Sequence, residues 1–374
     1  MKLVSDVRTF KTRNTLAVVL AAGFALSWTA LAATAPKPAR ALPAGLKLAA
    51  SLTAKDVTAY GINPLFIVAV RVADGAKRIV IAEHRPGSDS ALHVLRADGV
   101  YDYQFPVPSP QLVDFTVDAA GSQAFLVGSL GTRFYSADLT GRTAKLIMSS
   151  SPDSPGFRAL PPVSIIRSAQ GPVVYGLFYE SKDVSKEVGF GRVWDNGTAT
   201  DLLPTRAWDT SFGRVLSYTP HPLLNSALLV TQDAGKQAAG AKPKLKHLRL
   251  APLSGEAREI DTGDDLFGAA WSPDGESFVY VRRSGKQQDL VLHDVSGSKT
   301  LASGRYFAPA FLNGGKTLVV STKEGEGNAV WVAPLPVGVL QRLELPAGPC
   351  VYVTDPAGQA LAAWGPWGLR VFTL

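Results

Sequence analysis

Short, nearly continuous apolar runs recur along this chain, each a few residues after a turn signal. The signals are Gly75, Gly121, Gly171, Asn225, Gly275, Gly315 and Gly358, spaced 40 to 54 residues apart. The runs are residues 79–82, 124–127, 173–175, 227–230, 278–281, 318–320 and 361–364. They are rich in β-branched residues and lack helical spacing, so they read as strands rather than helices. An unbroken apolar run means burial on both faces, the situation of a strand sandwiched between neighbouring sheets. Repetition at this period marks a stacked array or the blades of a β-propeller.

A second series of turns follows the first after 20 to 30 residues: Gly99, Gly141, Gly197, Gly255, Gly297 and Gly338. Glycine supplies the positive φ of tight hairpins. Each unit therefore reads as strand A, tight turn, strand B, loop, strand C, tight turn, strand D. The first series has seven members and the second six. The chain stops after the apolar run 368–374, so the last unit lacks strand D. Residues 46–52 form an apolar strand with no unit of its own. Pairing that strand with the last unit removes two open sheet edges. The expected fold is all-β: a single seven-bladed propeller of four-stranded blades over 46–374, closed by the N-terminal strand.

The segment 271–275, WSPDG, is followed by a β-rich strand, and 290–297 reads LVLHDVSG. These strings resemble the WD40-like repeat of the TolB family, and the weaker copies FTVDAAG (115–121) and VYVTDPAG (351–358) follow the same logic. The resemblance covers about 46–374 as a pattern and only one copy closely. It implies the propeller module alone, because nothing in the chain is long enough for the α/β domain that accompanies it in TolB proteins. The module also precedes serine-peptidase domains, but no G-x-S-x-G elbow occurs.

The first 32 residues carry Lys2, Arg8, Lys11 and Arg13 against Asp6, then an apolar stretch over 15–33 that contains Ala30-Leu31-Ala32. This is the pattern of an export signal cleaved after Ala32, and it implies a periplasmic or secreted protein. An uncleaved anchor is the competing reading. Residues 33–45 contain three prolines and read as an extended linker. Past residue 33 no apolar run reaches spanning length, so no transmembrane segment is expected after cleavage.

With 18% charged and 46% hydrophobic residues, the chain is globular rather than disordered. The net charge is +7, of which the leader supplies +3 and the remainder +4. No basic helix or stacking motif accompanies that mild excess, so nucleic acid is not an expected partner. Cys350 is the single cysteine, so the fold holds together without an internal disulfide. It reads as a small buried hydrophobe.

Candidate chemistry is sparse. None of the five histidines, His84, His93, His221, His247 and His293, belongs to a metal-ligand motif. Glu83 beside His84 could lie near a channel mouth, but without a second and third ligand a structural role is favoured. The acidic string 261–265, DTGDD, reads first as a solvated turn and second as a weak cation site. No catalytic residue, metal site or cofactor is assigned.

The A–B and C–D turns share one face, where they are tight. The insertions fall on the other face: 180–189, 232–246, 149–162 and 203–214. Irregular loops on a rigid frame carry function. The candidate binding residues are therefore Arg158, Arg206, Trp208, Lys236, Lys242, Lys244 and Lys246. An exposed Trp beside Arg is a typical interface anchor, and the lysines suit an acidic partner or headgroups. Trp208 could equally plug the space between blades, and the lysine loop could be a solvated insertion. The reading is an exported, non-catalytic binding or scaffold module for a protein or envelope component. The alternative is a channel-mouth enzyme of lactonase or hydrolase type with a divalent metal, and a third reading is a structural spacer.

Overall fold

The computed structural model describes residues 42, 45–74, 77–109, 111–118, 120–128, 133–149, 157–168, 171–180, 187–194, 200–202, 214–223, 226–233, 245–252, 256–335 and 339–374. Between 147 and 214 it describes the backbone only. Residues Arg40–Leu374 form one compact unit.

The chain opens with β1 (Lys47–Thr53), a short helix α1 (Ala54–Ala59) and a 3-10 turn (Pro64–Phe66). Strands then pair in runs of four. The first run is β2 (Ile67–Ala73), β3 (Arg78–Glu83), β4 (Ser90–Arg96) and β5 (Tyr101–Val107). The next is β6 (Leu112–Val117), β7 (Gln123–Gly128), β8 (Arg133–Asp138) and β9 (Thr143–Ser149). The backbone of β10 (Phe157–Ser168), β11 (Gly171–Glu180), β12 (Glu187–Trp194) and β13 (Thr200–Leu202) pairs in the same order. There follow β14 (Arg214–Pro220), β15 (Ser226–Gln232), β16 (Lys246–Pro252) and β17 (Arg258–Gly263). Then come β18 (Asp265–Trp271), β19 (Phe278–Ser284), β20 (Gln287–Asp294) and β21 (Gly297–Ser303). The last complete run is β22 (Tyr306–Leu312), β23 (Thr317–Glu324), β24 (Gly327–Pro334) and β25 (Gln341–Leu343). Only β26 (Val351–Thr354), β27 (Ala360–Gly365) and β28 (Gly368–Thr373) remain, and β1 completes their sheet by pairing antiparallel with β28. The observed closure runs from Lys47 opposite Thr373 to Thr53 opposite Gly368, one residue on from the expected span.

The first strands of successive sheets stand side by side: β10 by β6, β6 by β2, β2 by β26, β26 by β22, β22 by β18 and β18 by β14. This is the arrangement of β-propeller blades. Where side chains are described, the apolar runs of the second strands are largely buried. Ile79, Val80, Ile81 and Ala82 of β3 are fully enclosed, as are Ala360 to Ala363 of β27. Their side chains alternate between two inter-sheet cores: Val80 and Ala82 pack with Leu126 and Ala124 of β7, while Ile79 and Ile81 pack with Ala362 and Val371. Full burial of each Val or Ile contributes roughly 1.5–3 kcal/mol, so the apolar runs are the main source of cohesion between blades.

Three of the tight turns, at 118–122, 272–277 and 355–359, share one construction. A polar side chain at the end of the first strand accepts backbone N–H groups across the turn, and a glycine three residues later takes positive φ. Asp118 Oδ1 accepts from Ser122 N (2.7 Å) and Gln123 N (2.9 Å), ahead of Gly121 at φ 63°. Asp355 Oδ1 accepts from Gln359 N (2.5 Å) and Ala360 N (2.6 Å), with Gly358 at φ 68°. In WSPDG the acceptor is Ser272 Oγ, bonded by Ser277 N at 3.0 Å. Each glycine carbonyl is then tied to the preceding sheet. Arg78 donates to Gly121 O (2.8 Å), His221 Nε2 lies 3.1 Å from Gly275 O, and Asn313 N donates to Gly358 O (2.6 Å). Leu223 N donates to His221 Nδ1 (3.0 Å), which leaves the ring proton on Nε2, where it faces the carbonyl. In the second turn series Gly99 and Gly297 have positive φ, but Gly141 does not; Arg142 takes it instead, at φ 57°. There its guanidinium lies over the Tyr103 ring, 4.1 Å from the centroid.

Two sequence expectations need correction. Residues 157–162 are not loop: β10 starts at Phe157, so Arg158 is a strand residue opposite Tyr179. Pro161 and Pro162 fall inside the register shift between Leu160 and Ser164, where the missing N–H groups break no ladder bond. The string 261–265 is not a solvated turn either. Asp261 lies within β17, which runs on to Gly263, Asp265 opens β18, and Asp264 alone joins the two strands.

Candidate functional site

The connections between second and third strands, and between fourth and next first strands, emerge on the rim opposite the tight turns. The segment from α1 to the 3-10 turn lies on that rim between β1 and β2. Thr53 caps α1 by a reciprocal pair: Asp56 N donates to Thr53 Oγ1 (3.3 Å) and Thr53 N to Asp56 (2.8 Å). Sequence reasoning missed this helix, although Thr-Ala-Lys-Asp is a recognisable capping box.

The segment is braced by a buried polar cluster at the end of β3. Glu83, 2% exposed, accepts from Asn63 N (2.7 Å) and from Arg85 Nε (2.6 Å), and lies 3.0 Å from His93 Nε2. His93 is fully enclosed, and its Nδ1 is 3.2 Å from the Tyr101 hydroxyl. Arg85 also donates to Gln104 (3.0 Å). Burial raises the Glu83 pKa, but the bonds from His93, Asn63 and Arg85 outweigh it and hold the group at about 2. Glu83 and His93 meet because β3 and β4 pair Ile81 with His93, which puts both polar side chains on one sheet face. His84 N donates to Phe66 O (2.9 Å), and Tyr60 stacks on Tyr101 at 5.1 Å. The cluster has the members of a proton relay, yet both Glu83 oxygens and both His93 ring nitrogens are engaged by neighbours and His93 has no exposed surface. Its chemistry is positional: it fixes residues 63–66 on the rim.

A second polar network joins β16–β17 to β18–β20. Asp261 accepts from the Tyr280 hydroxyl (2.6 Å) and Arg282 (3.1 Å), and Arg282 also pairs with Asp289 (3.4 Å). Asp265 pairs with Lys246 and with Arg283 (3.2 Å), while Asp264 accepts from Gly285 N (2.6 Å). Burial and the Asp261 contact push the Tyr280 hydroxyl well above its ordinary pKa. The carboxylates read as a weak cation site are thus matched by bases and donors. Among the described residues, no group of three or more His, Cys, Asp or Glu is placed to hold a metal ion.

Of the candidate binding residues, Lys246 opens β16 and is ion-paired with Asp265. Arg158 lies in β10. Arg206, Trp208, Lys236, Lys242 and Lys244 lie outside the described residues. Cys350 is buried, and burial pushes its thiol up to about 12. His293 stacks on Phe278 at 4.7 Å and its Nδ1 is 2.8 Å from Ser298 Oγ, a structural setting. Among the described residues no helix is long and apolar enough to cross a membrane.

The described rim and the paired sheets define a β-propeller. Solved structures agree on the fold. An oligogalacturonate lyase in complex with manganese matches 83% of this chain and 89% of its own, at 11% identity and a TM-score of 0.59. The oligogalacturonate lyase of Vibrio parahaemolyticus matches 82% and 89%, at 8% identity and 0.59. The β-propeller domain of Myceliophteria thermophila Cps50 (Swd1) matches 82% and 96%, at 11% identity and 0.52. At these identities the likeness is one of fold alone. No protein-family model matches the chain, and no curated protein matches its sequence.

Proposed function

We propose that this chain is an exported, periplasmic β-propeller of seven blades. On this reading it binds a protein or envelope component through its loop-bearing rim. Residues 1–32 act as the export signal, 33–45 as a linker and 46–374 as the propeller, of the WD40-like TolB type. The observation that carries the binding reading is the contrast between the two rims. One rim is sealed by short turns whose carbonyls are bonded to the adjacent sheet. The other carries the longer connections, including the 54–66 segment held rigidly by Glu83. A rigid frame that presents irregular segments is the usual design of a recognition surface. Arg158, Arg206, Trp208, Lys236, Lys242, Lys244 and Lys246 are assigned to that surface on their sequence positions.

The test is capture from an envelope extract with the purified mature protein. Three forms are compared: wild type, a deletion of 236–246, and Arg206→Ala with Trp208→Ala. Loss of a specific bound component in either variant, with unchanged circular dichroism, supports the reading. Equal capture by all three folded forms sinks it.

A further inference from the structure

Two hydroxyls are sealed between the β2–β5 and β6–β9 sheets and bond to nothing in the protein. Ser90, which opens β4, is 0% exposed, and Tyr135, in β8, is 1% exposed. Neither Ser90 Oγ nor the Tyr135 hydroxyl has a hydrogen-bond partner among the protein's atoms. The two groups enter one core from opposite walls. By strand alternation Ser90 lies on the face of β4 that carries Leu92 and Val94, and Tyr135 belongs to the core those residues form with β8.

Ser109, in the connection from β5 to β6, touches both walls. Its carbonyl accepts from Ser90 N (2.9 Å). Its hydroxyl lies 2.3 Å from the point where a Cβ on Gly128 would stand, and Cε2 of the Tyr135 ring lies 3.1 Å from the same point. Cε2 adjoins the ring carbon that bears the hydroxyl. The missing side chain at Gly128 is what lets Ser109 come so close to that ring. Ser109 is itself fully enclosed, and its hydroxyl donates to Gln111 O (3.0 Å), which leaves its oxygen able to accept.

A buried hydroxyl without a partner is destabilising, so a dry site would be more stable with Phe and Ala in place of Tyr135 and Ser90. Polar groups that a fold leaves over in this way are where enclosed water sits, typically with about three partners. The three side chains here are neutral and can both donate and accept, so the occupant must do the same. With no exposed surface at any of them, it must also be very small.

We infer that Ser90 Oγ and the Tyr135 hydroxyl hold an enclosed water molecule between them, with Ser109 Oγ as its third partner. The water joins two neighbouring sheets at their loop-bearing ends, where β4 begins, β7 ends and β5 passes on to β6. The inference is independent of what the protein binds.

A crystal structure of the mature protein at atomic resolution, together with thermal unfolding of Tyr135→Phe, Ser90→Ala and the double variant, tests this. The expected density is one peak within about 3.2 Å of both hydroxyl oxygens. Both substitutions keep the carbon skeleton of the side chain. Each removes a bond to the water, so each should lower the melting temperature by about 2 °C or more. The double variant should lose less than the sum of the two, because groups that do not touch are then coupled through one molecule. A melting temperature that holds or rises in Tyr135→Phe, strictly additive losses, or density at neither or only one of the hydroxyls overturns the inference. So does a direct hydrogen bond between Ser90 and Tyr135, which would couple them without water. The wild-type density decides the matter even where a variant fails to fold.

Discussion

Glu83 provides the sharpest quantitative test of how the loop-bearing rim is held. Its carboxyl titrates at about 2 in the folded protein against an ordinary value of 4.5. The folded value is depressed, so the stabilisation is complete above pH 4.5 and disappears as pH falls toward 2. At neutral pH the shift corresponds to about 3 kcal/mol, at 1.36 kcal/mol per pKa unit. By pH 3 the unfolded chain has taken up most of a proton at this group while the folded one has not, so about 2 kcal/mol of that is gone. Glu83→Gln keeps an acceptor for Asn63 N but removes the charge that Arg85 faces. The variant should be destabilised by about 3 kcal/mol at pH 7 and by only about 1 kcal/mol at pH 3. Urea unfolding of both proteins at the two pH values measures the difference, and subtraction cancels the other titrating groups. A wild-type-minus-variant gap that stays constant between pH 7 and pH 3 would refute the reasoning.

Three further outcomes follow from the geometry. Gly275→Ala places a Cβ against the His221 ring at φ 75° and should cost 2 kcal/mol or more, on the order of a strained left-handed residue plus a clash; Gly285→Ala, at φ 60° with open space, should cost only about 1 kcal/mol. Thermal unfolding of the pair reads this out, and equal losses would show that the turn does not press on the neighbouring sheet. Tyr280→Phe leaves Asp261 with Arg282 but removes the 2.6 Å bond, for a loss of about 1–2 kcal/mol by denaturant titration. Cys350, with its thiol pushed up to about 12, should resist iodoacetamide at pH 8 until denaturant is added; rapid labelling of the native protein would contradict its burial.

Much of the frame is readable from the chain alone. The seven apolar runs land in β3, β7, β11, β15, β19, β23 and β27, because a strand enclosed on both faces must be apolar at every position. The pairing of β1 with β28 is readable for a similar reason: an unmatched strand at each end must find an edge. The turn glycines at 121, 275 and 358 follow from the positive φ that the local geometry demands. Candidate chemistry was far less legible. Glu83 and His93 are ten residues apart, and their contact depends on the register of β3 against β4. Likewise the charges of 261–265 looked solvated, since nothing local reveals that Tyr280, Arg282, Arg283 and Lys246 converge on them. Phe267 and Phe307 lie on different sheets, and their rings meet only because β18 and β22 stand side by side. Period and burial are properties of single strands and are written in the chain. Which polar groups meet, and which apolar ones remain uncovered, depends on contacts between strands distant in sequence, and the tertiary structure alone decides them.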